Sequence, residues 1–246
     1  MKTRPMLRVV VPGRNCARWA AGCLASIVTQ SYTNWTACVI DDASTDATWR
    51  LVKSFGLDGR IAVLRRNYRV GALANILTGI AAQAPDDDDV IVTVDMDDHL
   101  AHPGVFARLA RVYRDPKVRL TYGQFRQSNG EIGWALPYPA AIGRGYRAWN
   151  MLATHLRTFR YQLWRHIRPS DLKDPKTGKP WDMSWDVAFM LPMLEMCAPE
   201  AIRCMAPEVL YVYNMGNNQS DHVLDREHQK DCDNRIRDLP KYEVLP

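Results

Sequence analysis

Asp95, Asp97 and Asp98 stand at the end of the apolar run over residues 90–94, and His99 follows at once. On an extended chain, side chains two apart point the same way, so Asp95 and Asp97 can face one point. A hard divalent cation suits such oxygens. Three carboxylates crowded after a buried strand repel one another unless a cation or a base neutralises them. The chemistry implied is metal-held phosphate chemistry. A second acidic pair, Asp41 and Asp42, closes the run over residues 36–40. Because Asp is also common in turns, that pair by itself reads equally well as a surface turn.

Positioning these acids falls to the elements that precede them. Residues 7–11 form a short continuous apolar run, the pattern of a strand buried on both faces. After Pro12-Gly13 comes a helical pattern over residues 18–30. The alternation repeats: a strand over 36–40, a helix through Phe55 with capping residues at 44–46, a strand over 61–64 and a helix over 71–83. An acidic turn at 86–89 leads into the strand over 90–94. Strands alternating with helices predict an α/β fold with a mostly parallel, Rossmann-like sheet flanked by helices, its ligands at the carboxyl ends of the strands. Both acidic groups lie at such ends, along one rim, which outlines a nucleotide site.

Past residue 120 the pattern changes. A strand through Phe125 runs into a Gly/Pro-rich segment at 129–145. Helical patterns follow over 149–166 and 184–196, separated by a polar turn at 174–180. A late strand covers 209–213 and an exposed helix 225–237. With no repeat and no long linker, the expectation is a single domain over 1–246. The change of pattern divides it into 1–125, which carries both acidic groups, and 126–246.

Composition sets outer limits. At 246 residues, 47% apolar and 24% charged, the sequence fits a folded globular enzyme. A net charge of +5, with arginines gathered over 144–168, could meet phosphates, but the excess is too small to demand nucleic acid. Six cysteines without CxxC spacing pack as small hydrophobes and argue for a reducing compartment. The first residues lead straight into a strand, with no signal-peptide pattern. Nowhere does a charge-free apolar stretch reach the roughly 18 residues of a transmembrane span. A cytoplasmic location is therefore expected. Oligomeric state is not legible.

Val10-Val-Pro-Gly-Arg-Asn15, Val39-Ile-Asp-Asp-Ala-Ser-Thr-Asp46, the segment from Asn67 through Gly71 to Asn75, and Asp95-Met-Asp-Asp98 resemble, in order and spacing, the nucleotide-sugar-binding half of family-2 glycosyltransferases with the GT-A fold. The match covers about the first hundred residues and is specific as an ensemble, each piece being weak alone. The resemblance implies that Pro12, Arg14 and Asn15 line the base and ribose site, with Asp42 or its neighbour Asp41 hydrogen-bonding there. Arg66 and Asn75 would complete the nucleoside pocket. Asp95 would hold the ribose or a metal-bound water, and Asp97 would bind Mn²⁺ or Mg²⁺ bridging the phosphates of a nucleoside-diphosphate sugar, UDP-linked by expectation. His222, in the loop after the late strand, would be a further metal ligand. Asp186, opening the helix over 184–196, would be the base of an inverting transfer to a hydroxyl, with Asp182 its competitor. Trp185 replaces the usual Glu before it.

Between these motifs, residues 154–160 gather cations beside aromatics at helical spacing. Read structurally this is a charged helix face; read functionally, His155 or Arg157 touches the acceptor or the diphosphate. Trp134, Trp149 and Trp181 could stack on a sugar or base face. The acceptor, a glycan by expectation, could also be a protein, a lipid-linked glycan or a hydroxylated DNA base. A non-catalytic nucleotide- or carbohydrate-binding module would keep the acidic rim without a base. A haloacid-dehalogenase-like phosphatase would carry its DxD at the first strand. A dinucleotide oxidoreductase would need a glycine fingerprint where Pro12-Gly-Arg-Asn15 stands.

Overall fold

A computed structural model describes residues 4–217 and 225–246. Its centre is β1 (Leu7–Gly13), whose residues alternate between two cores. Leu7, Val9 and Val11 face one side and Val10 the other, all fully buried. Parallel partners flank it: β2 (Trp35–Asp41) on one side and β4 (Val90–Thr93) on the other, with β3 (Ile61–Arg65) beyond β2. The helices α1 (Ala20–Val28) and α2 (Thr48–Phe55) cover one face, and α3 (Ala72–Ala82) the other. The parallel pairing brings the carboxyl ends of β1, β2 and β4 to one rim, as the alternation predicts.

The second half completes the sheet with mixed pairing. After β5 (His99–Leu100) and α4 (Val105–Val112) come β6 (Leu120–Gln127), β7 (Thr158–Arg160) and the one-turn α5 (Tyr161–Trp164). They are followed by α6 (Trp185–Met196), β8 (Ile202–Tyr213) and α7 (Arg226–Arg237). The strand order is β3-β2-β1-β4-β7-β6-β8-β5. Four of the seven pairings are parallel, and β7 is antiparallel to both its neighbours. Helix α6 is buried from Val187 to Met196 on all sides, which suits its apolar sequence. No helix among the described residues is long and apolar enough to cross a membrane.

One expectation fails. The helical pattern over 149–166 is instead irregular chain, the strand β7 and then a single helical turn. The misleading signal was the three-residue spacing of Arg157 and Arg160, which mimics a solvated helix face. Both arginines are in fact buried. Thr158 and Phe159, β-branched and aromatic, insert between β4 and β6, opposite Val92 and Ile91. The Arg160 guanidinium donates to the carbonyls of Val118, Asp88, Tyr113 and Asp115 at 2.8–3.3 Å. Since removing it orphans several of these acceptors, Arg160→Met is expected to cost about 3 kcal/mol in urea denaturation. A loss below about 1 kcal/mol would mean that water replaces the guanidinium at these carbonyls.

Candidate functional site

At the carboxyl rim lies a cleft of about 780 Å³, bounded on one side by Pro12, Arg14, Asp42 and Asn75 and on the other by Trp134, His155 and Asp186. Its floor is the turn Asp95–Asp98. The rim is tightly built where β1 ends. A Cβ on Gly13 would lie 2.3 Å from the Met96 Cβ, so only glycine lets the two chain segments pass.

On the nucleoside side, the Asp42 carboxylate accepts from the backbone N–H groups of Val70 and Gly71, both at 2.9 Å. Gly71, just before α3, has φ 90° and ψ 164°, a backbone conformation essentially confined to glycine. Asn75 donates to the Gly71 carbonyl at 2.9 Å and accepts from Arg66 Nε at 2.9 Å, while Arg66 also reaches Thr78. Asp42 and Asn75 thus line the cleft, and Arg66 stands behind them as a brace. Arg14 lines the wall with its Nε buried and donating to no described residue. Arg69, which the sequence reading passed over, lies exposed on the lip.

Besides Arg66, two more expected nucleoside contacts, Asp41 and Asn15, lie off the lining. Asp41 is fully buried, accepts from the Ser44 N–H and pairs with Arg65 Nε at 3.3 Å. Its proximity to Asp42 in sequence conceals the alternation of β2, which sends one acid inward and leaves the next at the rim. Asn15 ties the first turn to the second: its N–H donates to Ser44 Oγ and its Oδ1 accepts from the Thr45 N–H, each at 2.9 Å.

The carboxylate floor is braced by β8. The Tyr211 hydroxyl accepts from the Asp95 N–H at 3.0 Å, and Asp98 Oδ1 accepts from the Asn214 N–H at 2.7 Å. Asp97 accepts from Asn217 Nδ2 at 2.7 Å. Burial pushes the Asp95 carboxyl up to about 6, opposed by the Arg157 cation and reinforced by Asp186. Burial, then the charge of Asp95, also raises Asp97. Asp98 rises well above the usual carboxylate range through burial and its acidic neighbours. Among the described residues, this floor lacks positive charge to match its acids.

His155 lies beside that floor. Its Nε2 is 3.6 Å from Asp95 Oδ2, its ring stacks on Tyr211 at 4.8 Å, and its buried Nδ1 has no partner among the described residues. Burial, with the Arg157 charge, holds the imidazole well below its ordinary pKa, so it is neutral and able to ligate. One ligand atom each from Asp95, Asp98 and His155 falls within 4.8 Å of the others. The donor set, carboxylates with one neutral imidazole, fits a divalent cation. Asp97 faces the same cleft, and His222 lies outside the described residues.

On the opposite side, Asp186 occupies the first turn of α6, and its Oδ2 accepts from Arg157 Nη2 at 2.5 Å. Arg157 is buried between Asp186 and the floor. Trp134 lines the cleft and is 59% exposed, an available stacking face. Trp181 does not meet its expected acceptor role. It is 1% exposed in the core, its indole N–H donating to the Asp171 carbonyl at 2.9 Å, so neither ring face is open. Reading Tyr211 and Tyr213 as an alternating pair on one strand would have located the tyrosine brace behind the floor.

Comparison with known proteins agrees with this architecture. The family model described as glycosyl transferase family 2 matches residues 8–172. A chondroitin synthase from Pasteurella multocida (strain Pm70) is 24% identical over 172 residues, which cover 65% of this chain but only 16% of that protein. Among solved structures, S. aureus TarS 1–349 in complex with UDP-GlcNAc superposes with a TM-score of 0.64 at 16% identity, covering 89% of this chain and 60% of that one. The mannosyltransferase PcManGT from Pyrobaculum calidifontis, in complex with GDP-Man and Mn²⁺, gives a TM-score of 0.52 at 20% identity, covering 82% of this chain and 57% of that one. The fold shared with these structures is GT-A, and with more than half of its length matched, the chain belongs to glycosyl transferase family 2.

Proposed function

We propose that this chain is a metal-dependent, inverting glycosyltransferase that moves a sugar from a nucleoside diphosphate, UDP by preference, onto a hydroxyl of a glycan. One observation carries the reading: the cleft sets the cation-deficient floor of Asp95, Asp97 and Asp98 against Asp186, with Arg157 held between them. In support, TarS and PcManGT were each captured with a nucleotide sugar, the latter with Mn²⁺. Within one domain, residues 1–125 hold the donor and residues 126–246 supply the acceptor side and the base.

In this reading Asp95, Asp97, Asp98 and His155 hold Mn²⁺ or Mg²⁺, which when bound stabilises negative charge on the departing diphosphate as a Lewis acid. Asp42, Asn75 and Arg14 seat the nucleoside. Trp134 stacks on a sugar ring. The acceptor oxygen forms a bond to the anomeric carbon while the bond from that carbon to the diphosphate oxygen breaks, its electron pair leaving with the diphosphate. Asp186 takes the proton from the acceptor hydroxyl, held in place by Arg157. Attack from the side opposite the leaving group inverts the anomeric centre.

Thermal shift with a panel of nucleoside diphosphates and their sugars, with and without Mn²⁺, tests the reading directly. A Mn²⁺-dependent rise in Tm with one nucleotide sugar is expected, and the absence of any such rise would sink it. The pH dependence has a definite sign. Because folding raises the Asp95 pKa to about 6, its protonated form favours the metal-free fold. That contribution is complete below the ordinary carboxylate pKa and is lost as pH rises through about 6. A cation replaces the lost proton, so the Mn²⁺-induced rise in Tm should be small near pH 5 and grow to a plateau above about pH 7. A rise independent of pH over this window would place the cation elsewhere.

A further inference from the structure

We propose that Asp182, His228 and Cys232 form a second metal site, suited to Zn²⁺, on the lip of the cleft and separate from its carboxylate floor. His228 and Cys232 are four residues apart on α7 and so share one face. Asp182 reaches that face from the loop before α6, 46 residues earlier in the sequence than His228. Asp182 Oδ1 is 3.0 Å from His228 Nε2, and Cys232 Sγ is 3.7 Å from His228 Nε2 and 3.9 Å from Asp182 Oδ1. Tetrahedral zinc with ordinary bond lengths needs ligand-to-ligand edges of about 3.3–3.6 Å, and because Cys232 Sγ is nearly as close to His228 Nδ1 (3.9 Å) as to Nε2, the imidazole must turn to direct Nε2 at a shared ion.

The chemistry distinguishes this site from the floor. A thiolate, an imidazole and one carboxylate select zinc-like ions, whereas an oxygen-rich floor selects Mn²⁺ or Mg²⁺. Burial raises the Cys232 thiol, opposed by Arg235, whose Nη2 lies 3.4 Å from Sγ, so an ion must displace the thiol proton as it binds. The Asp182 side chain is 68% exposed and that of His228 is 35% exposed, so an ion can enter and keep a water as its fourth ligand. In the metal-free chain the Asp182–His228 pair and the Arg235 contact to Cys232 keep the three groups together. The site also has a structural consequence. Ser184 Oγ already donates to the Gln229 carbonyl at 3.0 Å, fastening the same loop to α7. An ion at Asp182 would lock the segment that leads into α6 and Asp186.

The test uses the full chain in an Asp95→Asn, Asp98→Asn background, which removes both carboxylates of the floor's ligand set and leaves the lip intact. After dialysis against Zn²⁺, about one equivalent per chain is expected by elemental analysis, with a raised Tm. Co²⁺ as a probe should give a thiolate-to-metal charge-transfer band with tetrahedral visible absorption. Cys232→Ser and His228→Gln should each abolish the cobalt spectrum and the retained zinc. The histidine variant alters a partly exposed side chain and keeps the test valid if loss of the buried thiol disturbs folding. Cobalt binding without a thiolate band, or zinc retained in both variants, would overturn the assignment.

Discussion

Asp186→Asn is expected to lower kcat by about 10²–10⁴-fold, the usual contribution of a positioned general base, while leaving donor affinity and Mn²⁺ binding within about two-fold. The substitution keeps the shape and can still accept the hydrogen bond that Arg157 Nη2 makes to the side chain, so the architecture of the cleft should persist. What changes is the capacity to accept a proton from the acceptor hydroxyl. Asp186 also raises the Asp95 carboxyl, so its loss should favour the ionised, cation-holding floor and not weaken the phosphate side. Titration calorimetry with the donor and Mn²⁺, beside turnover assays, separates the two effects. Retention of more than about a tenth of kcat would remove Asp186 from the base role. The neighbouring Asp182 is a poor replacement in this geometry, because its carboxylate oxygen is engaged by His228 and its side chain is largely in solvent.

Legibility differed between the two halves for a physical reason. In the first half β1, β2 and β4 are buried on both faces, so apolar runs mark them without ambiguity, and acids that interrupt them can only stand at their ends. The floor at Asp95–Asp98 and the rim residue Asp42 were therefore visible. Whether an acid at a strand end turns in or out is a matter of one residue, which is how Asp41 came to be grouped with Asp42. In the second half, polar residues carry the packing. Arg160 satisfies backbone carbonyls and Arg157 pairs across to α6, so charge no longer signals solvent and the period-three spacing pointed to a helix that does not exist. His155 and Arg157 nevertheless reach the cleft, carried there by irregular chain before β7. Trp181 illustrates the converse: its size attracted a stacking role, but an indole that finds a backbone carbonyl in the core is spent on packing. The distances that join Asp182 to His228 and Cys232 arise from tertiary docking of α7, which no local pattern encodes.

Asp97→Asn should produce two effects of opposite sign, and the pair discriminates a cation-holding carboxylate from a structural one. Without Mn²⁺ the variant should be at least as stable as the parent at neutral pH. Burial and the charge of Asp95 both oppose ionisation of Asp97, so replacing it with a neutral amide relieves repulsion in the floor. The hydrogen bond from Asn217 can be retained by the amide oxygen. With Mn²⁺ and donor, the order should reverse: the parent gains stability that the variant does not. A cation that stabilises the departing diphosphate contributes several kcal/mol, so kcat/KM should fall by about 10²–10³-fold. If Asp97 merely braced the loop after β4, the substitution would instead lower the metal-free Tm and leave the Mn²⁺-dependent increment intact. Crossing of the two Tm orders on adding Mn²⁺ is therefore the decisive observation, since a packing defect would move both in the same direction.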